Sequence, residues 1–454
     1  MALTDAGPTR LLDPLFRSEE MRAIFSDAYL LECMLRFELS LARALGKAGI
    51  APPSAVTAVQ NARAGQFNFE ELAAQAKLAG NLAIPFVKAL TSLAENVDRE
   101  GAKFVHWGAT SQDVQDTALV LQLRDALAQF DSDLSKLCDA LARLAEKHAT
   151  TYLAGRTWLQ QGSPVTFGLK AAGWLSAIER HRARLAATAK RVEVLQFGGS
   201  VGTLAALGPL GPEVSRALAD DLKLRVPDMP WHTQRDAIAE VGTNLGLLTG
   251  TLAKIARDVS LLMQTEVGEA FEPAEPGRGG SSIMPHKRNP VESAAILAAG
   301  LRVPGLVSTM LAAMVQEHER GLGGWHAEWE TLPEICLLAS GALRHTITMI
   351  AGLEIDKDRM RRNLELTHGL IFAEAVSAAL AQHLGRAAAH ELVEAASLRA
   401  IQKKQHLRAA LLEDPQAARL LPAGKLDQLF RPENYVGSAG QFVEQVISRR
   451  GSKP

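Results

Sequence analysis

The sequence is poor in cysteine and has no excess of either charge. Its 454 residues include only Cys33, Cys138 and Cys336, which form no CxxC pair. A disulfide scaffold and a cysteine-based zinc module are therefore excluded, and the pattern is typical of the reducing cytosol. The 49 Lys and Arg residues balance 50 Asp and Glu residues. Because nucleic-acid surfaces usually carry a basic excess, we expect no nucleic-acid partner.

The sequence also lacks the segments that direct a chain to a membrane or hold a cofactor. Its first residues have no basic stretch followed by an apolar core, and no uninterrupted apolar run reaches about 18 residues. We therefore expect a cytoplasmic protein without a membrane partner. No P-loop, GxGxxG or HExxH motif indicates a cofactor, and the spacing of His318, Glu319, His326 and Glu328 matches no metal site. We expect neither a metal nor an organic cofactor.

Helical periodicity dominates the residues that are present. Ala and Leu, both strong helix formers, are abundant, whereas aromatic residues make up only 5%. From Val120 to Leu144, and again from Ile238 to Leu262, apolar residues recur at alternating steps of three and four. Each segment predicts a helix of about 25–30 residues, about 40 Å long, which needs long partner helices. The sequence therefore predicts an all-α protein with a long central helical bundle.

Breaks in this periodicity predict three parts. Residues 1–108 precede the first long helix and are predicted to form an N-terminal helical domain. Residues 109–355 contain the central bundle and a Pro- and Gly-rich loop at about 272–290. Beyond residue 355 the apolar seams shorten and charges become denser, so 356–454 is predicted to be a C-terminal helical domain.

The most unusual segment is the sequence GSSIMPHKRNP at 280–290. Its small residues let the backbone move, and it combines serine hydroxyls with His286, Lys287 and Arg288. Such a loop can close over an anion and exclude water, whereas a basic surface loop is the plain alternative. The segment resembles the GSSxMPxKxNP pattern of the fumarase/aspartase superfamily.

Further segments extend this resemblance. HWGATSQD at 106–113 resembles the superfamily's first region, HxGxTSxD, and GRTWLQQGSPVT at 155–166 resembles its second, GRTHxQxAxPxT. TQRD at 233–236 and QTEVGE at 264–269 are similar to segments that precede the mobile loop in adenylosuccinate lyases. The resemblance implies an all-α homotetramer. Its core would be formed by long central helices, and each active site would draw three regions from three subunits.

Two departures from the pattern concern one acid/base pair. Trp158 stands where the second region normally has a histidine, and Ala294 replaces the glutamate that normally orients that histidine. Glu292 is nearby but points elsewhere on a helix. Superfamily members add or eliminate HX beside a carboxylate, and water or an amine as X needs proton transfer. A carboxylate as X is already ionised at neutral pH and does not.

The resemblance therefore implies a lactone-forming cycloisomerase, in which one substrate carboxylate attacks a conjugated double bond of the same molecule. QEHER at 316–320 and WHAEWETLP at 325–333 are similar to muconate-lactonising members. We expect a carboxy-substituted muconate as the substrate, in the catabolism of aromatic compounds. An adenylosuccinate lyase, whose loop also reads MPHKRNP, and a non-catalytic structural homologue are the alternatives.

The resemblance and the residue types together assign roles. Ser281 is the expected acid or base at carbon, and Lys287 is expected to stabilise the negative charge that develops on the adjacent carboxylate. Arg320 is expected to bind a third carboxylate, and Trp158 to pack over the planar diene. The other expected substrate-binding residues are His106, Thr110, Ser111, Gln160, Ser282, His286 and Asn289. The structural alternatives are packing for His106 and Trp158, loop holding for Asn289, and a surface ion pair for Arg320.

Replacing the loop serine tests its expected role. Ser281→Ala is expected to lower kcat by about 10²–10⁴ with little change in KM, because a positioned proton-transfer group acts in the transition state. Steady-state kinetics on the carboxylate substrate measures both constants, and Ser448→Ala, outside every motif, is the control. A kcat close to that of the unchanged protein would contradict the role.

Overall fold

A computed structural model describes residues 10–280, 283–284 and 286–451, and helices dominate them. The α-helices, in chain order, are α1 (Asp13–Phe16), α2 (Glu19–Ile24), α3 (Asp27–Lys47), α4 (Ser54–Val59), α5 (Phe69–Ala79), α6 (Ala83–Glu95), α7 (Arg99–Ala102), α8 (Ser111–Lys147), α9 (Phe167–Val192), α10 (Gly211–Leu222), α11 (Asp236–Leu262), α12 (Val291–Ala313), α13 (Gly324–Ala351), α14 (Lys357–Asn363), α15 (Ala373–Leu384), α16 (Arg386–Lys403), α17 (Leu407–Leu412), α18 (Pro415–Leu420), α19 (Ala423–Leu429) and α20 (Ala439–Gly451). Short 3₁₀ helices cover Ala64–Gln66, Ala205–Leu210, Leu370–Phe372 and Pro432–Asn434. Two small antiparallel sheets pair β1 (Tyr152–Thr157) with β2 (Gln160–Thr166) and β3 (Ala270–Phe271) with β4 (Glu354–Ile355).

Both long apolar seams fold as single helices. α8 runs for 37 residues and α11 for 27 residues. The seam residues from Val120 to Leu144 and from Ile238 to Leu262 are all buried. The predicted long helices are therefore confirmed, because burying one apolar stripe along the whole length is what stabilises a helix of this kind.

The described chain divides into two compact units. One comprises the residues up to Leu134 together with His181–Ala253 and Ala295–His345. The other comprises Ser135–Arg180, Lys254–Ala294 and the residues from Thr346 onward. Each unit is assembled from distant stretches of sequence, and α8 contributes residues to both. The three-part division along the sequence stays a prediction of how the chain is organised.

A β-hairpin is the clearest element that the helical reading of the sequence did not predict. Trp158 and Leu159 form its two-residue turn, with backbone φ angles of 53° and 64°. Asn and Gly normally occupy such left-handed positions, since a side chain there is strained. The two side chains are 97% and 77% exposed. Gly155 lies in β1, where a Cβ would be 2.6 Å from a carbonyl oxygen of β2, so only glycine fits.

Helix α12 is apolar enough to pass a membrane-span test by length and composition alone. Its mean hydropathy reaches 1.6 over an 18-residue window, of which only 28% is buried. Counting uninterrupted apolar residues misses this helix because Arg302 divides it. Core helices of globular assemblies can have the same composition, so passing this test does not by itself identify a membrane segment.

The left-handed hairpin turn predicts a specific stability effect. Leu159→Gly is expected to be more stable than Leu159→Ala by about 1 kcal/mol, because both remove the exposed side chain but only glycine accepts a positive φ without strain. Urea unfolding of the two variants, followed by circular dichroism, measures the difference. If the alanine variant is equally stable, the turn is not strained in the folded protein.

Candidate active site

Asp113, in the first turn of α8, holds the first sequence region in place. Its buried carboxylate accepts hydrogen bonds from the backbone N–H groups of Thr110, Gly198 and Gly199 at 2.9–3.0 Å. His232 Nε2 lies 2.8 Å from the same carboxylate. One motif aspartate therefore ties the start of a long helix to a glycine loop and to the segment that precedes α11.

A buried arginine joins the N-terminal ends of three long helices. Arg235, just before α11, donates to Asp116 of α8 at 2.7 and 3.1 Å and to Glu328 of α13 at 3.1 Å. All three side chains are buried, and Trp325 Nε1 donates to Asp116 at 3.0 Å. Burial raises the pKa of Glu328 above its ordinary value, although Arg235 opposes this shift. Removing one partner would leave a buried charge unpaired, which typically costs about 3–5 kcal/mol.

Arg320, in the segment between α12 and α13, contacts the start of α8. It has no carboxylate hydrogen-bond partner among the described residues. Its Nη1 donates to Thr110 Oγ1 at 3.0 Å, and its Nη2 donates to Ser111 Oγ at 3.2 Å. The guanidinium lies 5.8 Å from the ring centroid of Trp325. Burial lowers the pKa of Arg320 below its ordinary value, as expected for a cation with little compensation. A guanidinium beside two hydroxyls and a helix N-terminus forms an anion-binding surface.

His106 is held by a carboxylate that the sequence analysis missed. Glu38 of α3 accepts a hydrogen bond from the His106 backbone N–H at 3.0 Å, and its second oxygen lies 2.6 Å from His106 Nδ1. The backbone of His106 has a φ of 59°, which is unusual for a residue with a side chain. Four of the predicted residues, His106, Thr110, Ser111 and Arg320, therefore belong to one compact unit.

The second region forms the hairpin, and its base is firmly held. Arg156 donates to the buried carboxylate of Glu269 at 2.9 and 2.7 Å, and Asn363 Nδ2 donates to the same carboxylate at 2.8 Å. The predicted binding residues Trp158 and Gln160 lie at the exposed end of this hairpin. The base of the hairpin is therefore held by hydrogen bonds, whereas its tip is exposed to solvent in the described chain.

The loop at 272–290 is anchored at both ends. Glu272 accepts hydrogen bonds from the backbone N–H groups of Glu292 and Ser293 at 3.0 and 2.8 Å, which caps the start of α12. Arg288 donates to Glu354 at 3.0 and 2.9 Å and to the carbonyl oxygen of Glu272 at 2.6 Å. Arg288 therefore anchors the loop.

The predicted catalytic residues lie between these anchors. Ser281 and Ser282 fall outside the described residues. His286 and Lys287 are exposed, and Asn289 is partly buried, with its backbone N–H donating to a loop carbonyl at 2.9 Å. Lys287 and Asn289 line a cleft of about 240 Å³. The cleft therefore brings a cation and an amide side chain to the base of the loop.

Two of the four residues considered as metal ligands have other partners. Glu328 pairs with Arg235, and His326 Nε2 lies 3.2 Å from the carbonyl oxygen of Gly80. Within the described ranges, no group of three His, Cys, Asp or Glu side chains could hold a metal ion.

Most of the residues that contact the predicted binding residues could not be identified from the sequence. Glu38 and His106 lie 68 residues apart, and Thr110 and Arg320 lie 210 residues apart. The sequence signals that could have been used were a charged residue inside the apolar face of α3, the aspartate Asp113 that ends the recognised first-region motif, and Asp116 three residues after it. Neither signal identifies the partner.

Comparisons with known proteins identify the family to which this chain belongs. The profile of the family described as Lyase matches residues 16–305, and the profile of the adenylosuccinate lyase C-terminus matches residues 369–446. The chain is 54% identical over 447 residues to 3-carboxy-cis,cis-muconate cycloisomerase of Pseudomonas aeruginosa, an alignment covering 98% of this chain and 97% of that protein.

Solved structures match over nearly the whole length. The 3-carboxy-cis,cis-muconate lactonizing enzyme from Pseudomonas putida matches with a TM-score of 0.93 and 52% identity, covering 98% of this chain and 99% of that one. The beta-carboxy-cis,cis-muconate cycloisomerase from Acinetobacter calcoaceticus matches with a TM-score of 0.92 and 43% identity, covering 97% and 100%. The predicted all-α fold is confirmed, and the chain belongs to the lyase family within the fumarase/aspartase superfamily.

Proposed function

We propose that this protein is a lactone-forming cycloisomerase that converts 3-carboxy-cis,cis-muconate to a carboxymuconolactone. The observation that carries the proposal is the joint replacement of the acid/base pair by Trp158 and Ala294, in a chain 54% identical to a cycloisomerase of that name. Its three cysteines, all within the described residues, are buried and form no disulfide, which supports a cytoplasmic location.

In the proposed reaction, a carboxylate oxygen of the substrate forms the new C–O bond and closes the ring. The electron pair of the attacked double bond moves onto the conjugated carboxylate, which becomes a doubly negative aci-carboxylate. Protonation at carbon then completes the lactone. The nucleophile needs no base because a carboxylate is ionised at neutral pH. Trp158 and Ala294 can therefore occupy positions where other members need a histidine and a glutamate.

The loop is proposed to supply the groups that act at carbon. Lys287 would stabilise the aci-carboxylate, because a cation placed where charge develops lowers the barrier. Ser281 would deliver the proton, and Asn289 would orient the same carboxylate. Ser282 and His286 would bind the substrate as the loop closes.

The first and second regions are proposed to bind the rest of the substrate. Arg320 and the hydroxyls of Thr110 and Ser111 already form one group of donors, and this arrangement supports binding of a carboxylate there. His106 would bind a carboxylate beside them. From the hairpin, Trp158 would cover the planar diene, and Gln160 would add an amide.

We also propose a homotetramer whose active sites are shared between subunits. The support is the exposed apolar surface of helix α12, where Leu301 is 84% and Leu311 49% exposed, together with exposed Val315 just beyond the end of the helix. A continuous apolar helix face is normally covered by a partner, and a second copy of the chain is the proposed partner. The exposed tip of the hairpin also supports insertion into a neighbouring chain.

An adenylosuccinate lyase-like C–N lyase is the second candidate. The match of residues 369–446 to the adenylosuccinate lyase C-terminus favours it, as does the MPHKRNP loop. Trp158 opposes it, since elimination of an amine needs the missing acid. A non-catalytic homologue is opposed by the presence of Ser281, Lys287 and Asn289.

A turnover assay distinguishes these functions. Incubation with 3-carboxy-cis,cis-muconate is expected to abolish the ultraviolet absorbance of the conjugated diene and to form one equivalent of lactone, whereas adenylosuccinate should remain unchanged. Ser281→Ala serves as the inactive control. Turnover of adenylosuccinate alone would establish the lyase, and turnover of neither compound would contradict both proposals.

Mixing two inactive variants tests the shared active site. Ser281→Ala and His106→Ala should each be nearly inactive, but co-refolding them 1:1 should recover about a quarter of the original activity. This is the chance that a site receives both regions intact from two randomly chosen chains of a closed tetramer.

The matched control mixes His106→Ala with Arg320→Ala. Arg320 bonds Thr110 of its own chain, so both changes damage the same cluster and no activity should return. If the first mixture forms mixed tetramers on a sizing column and stays inactive, each site lies within one chain.

A further inference from the structure

Glu38 is a charged residue in a position that normally excludes charge. It lies in the middle of α3, is 2% exposed, and follows Phe37 in a helix whose buried face includes Met34 and Leu41. Burying a carboxylate costs several kcal/mol unless hydrogen bonds or an opposite charge compensate. Glu38 must therefore have a strong partner, and both of its oxygens point to the same residue.

That partner is His106. One Glu38 oxygen accepts the His106 backbone N–H at 3.0 Å, and the other lies 2.6 Å from Nδ1. Because an ionised carboxylate only accepts, Nδ1 must carry a proton. Among the described residues, Nε2 of His106 has no hydrogen-bond partner, and the side chain is 16% exposed. The ring is thus oriented through one nitrogen and presents the other outward.

The charges around His106 favour its protonated form. Two carboxylates face it, Glu38 from α3 and Asp113 from α8. Burial alone would lower the pKa of His106, but the charge and hydrogen bond of Glu38, with a smaller effect of Asp113, raise it above its ordinary value. The nearby cation Arg320 is held by Thr110 and Ser111.

We propose that Glu38 is a positioning residue that fixes the His106 ring and holds it as a cation, so that its Nε2–H binds one carboxylate of the substrate. That this carboxylate belongs to a muconate rests on the proposed function. The orientation and charge of the His106 ring are independent of which substrate the protein binds. Together with Arg320, the His106 cation would give the first region two positive charges for an anionic substrate.

The two hydrogen bonds that Glu38 accepts distinguish the proposed role from simple filling of space in the core. The side chain must accept two hydrogen bonds, one from the backbone and one from Nδ1–H. A glutamine has only one accepting oxygen, so Glu38→Gln leaves one of these donors facing an NH₂ group or forces the ring into the other tautomer. The variant keeps the size of the side chain and removes its charge.

Nuclear magnetic resonance of histidine-labelled protein tests the charge state directly. The ¹⁵N shifts of the His106 ring, assigned with His106→Gln, should show both nitrogens protonated at pH 7 in the unchanged protein. In Glu38→Gln the ring should be neutral at pH 7. The control is Glu365→Gln, which removes the carboxylate 3.7 Å from half-buried His406 and should leave the His106 signals unchanged.

Kinetics test the role in binding. Because the cation is the active form, kcat/KM on 3-carboxy-cis,cis-muconate should fall as pH rises through the His106 pKa, and Glu38→Gln should move this fall to lower pH. At pH 7.5 the variant should lose about 10- to 100-fold in kcat/KM, mostly through KM, the usual effect of losing a charged hydrogen bond to substrate. Glu365→Gln should retain the original pH profile.

The outcomes separate this inference from the proposed function. A neutral His106 at pH 7 in the unchanged protein would overturn the inference, whatever the enzyme does and even if Glu38→Gln does not fold. A charged ring whose loss leaves KM and the pH profile unchanged would overturn the binding role. A charged ring in a protein that does not convert the muconate would leave the orientation and charge of the ring standing and refute the proposed function.

Discussion

The pairing of one buried arginine with two carboxylates organises the first unit. Arg235 binds Asp116 and Glu328, so the N-terminal ends of α8, α11 and α13 meet at one point. The first turns of α8 and α11 also contain Asp113 and Asp236, which is favourable because helix N-termini carry partial positive charge. Because Asp116 and Glu328 neutralise Arg235, Arg235 is not available to bind an anion. The neighbouring cation Arg320 bonds the hydroxyls of Thr110 and Ser111 instead of a carboxylate.

Of the eight described residues other than glycine that have positive φ angles, two are predicted to bind substrate and a third is next to one of them in the chain. His106, Trp158 and Leu159 all have positive φ angles, although none is glycine. Such conformations persist only where surrounding contacts hold them. Glu38 holds His106, and the pairing of Arg156 with Glu269 holds the base of the hairpin. Each strained position is therefore supported by contacts within its own unit.

The chemistry of the nucleophile explains which parts of the superfamily pattern this chain retains. A substrate carboxylate attacks without losing a proton, so the histidine and glutamate that serve a heteroatom are dispensable. In the proposed reaction, charge would still develop on the adjacent carboxylate and carbon would still need a proton, which agrees with the presence of Ser281, Lys287 and Asn289 in the sequence. The two ends of that loop are anchored by Glu272 and Arg288.

The sequence alone determined the long helices and the superfamily. The seams of α8 and α11 repeat within a few residues, and the loop motif is contiguous, so both are local properties of the chain. Only the tertiary structure decided which residues meet. Glu38 reaches His106 across 68 positions and Arg320 reaches Thr110 across 210. The hairpin was missed because Trp158 and Leu159 occupy a turn that favours Asn and Gly. A contact between residues that are far apart in the sequence produces no periodic pattern of residues. A turn that is stabilised by its surroundings need not contain the residues that such turns favour.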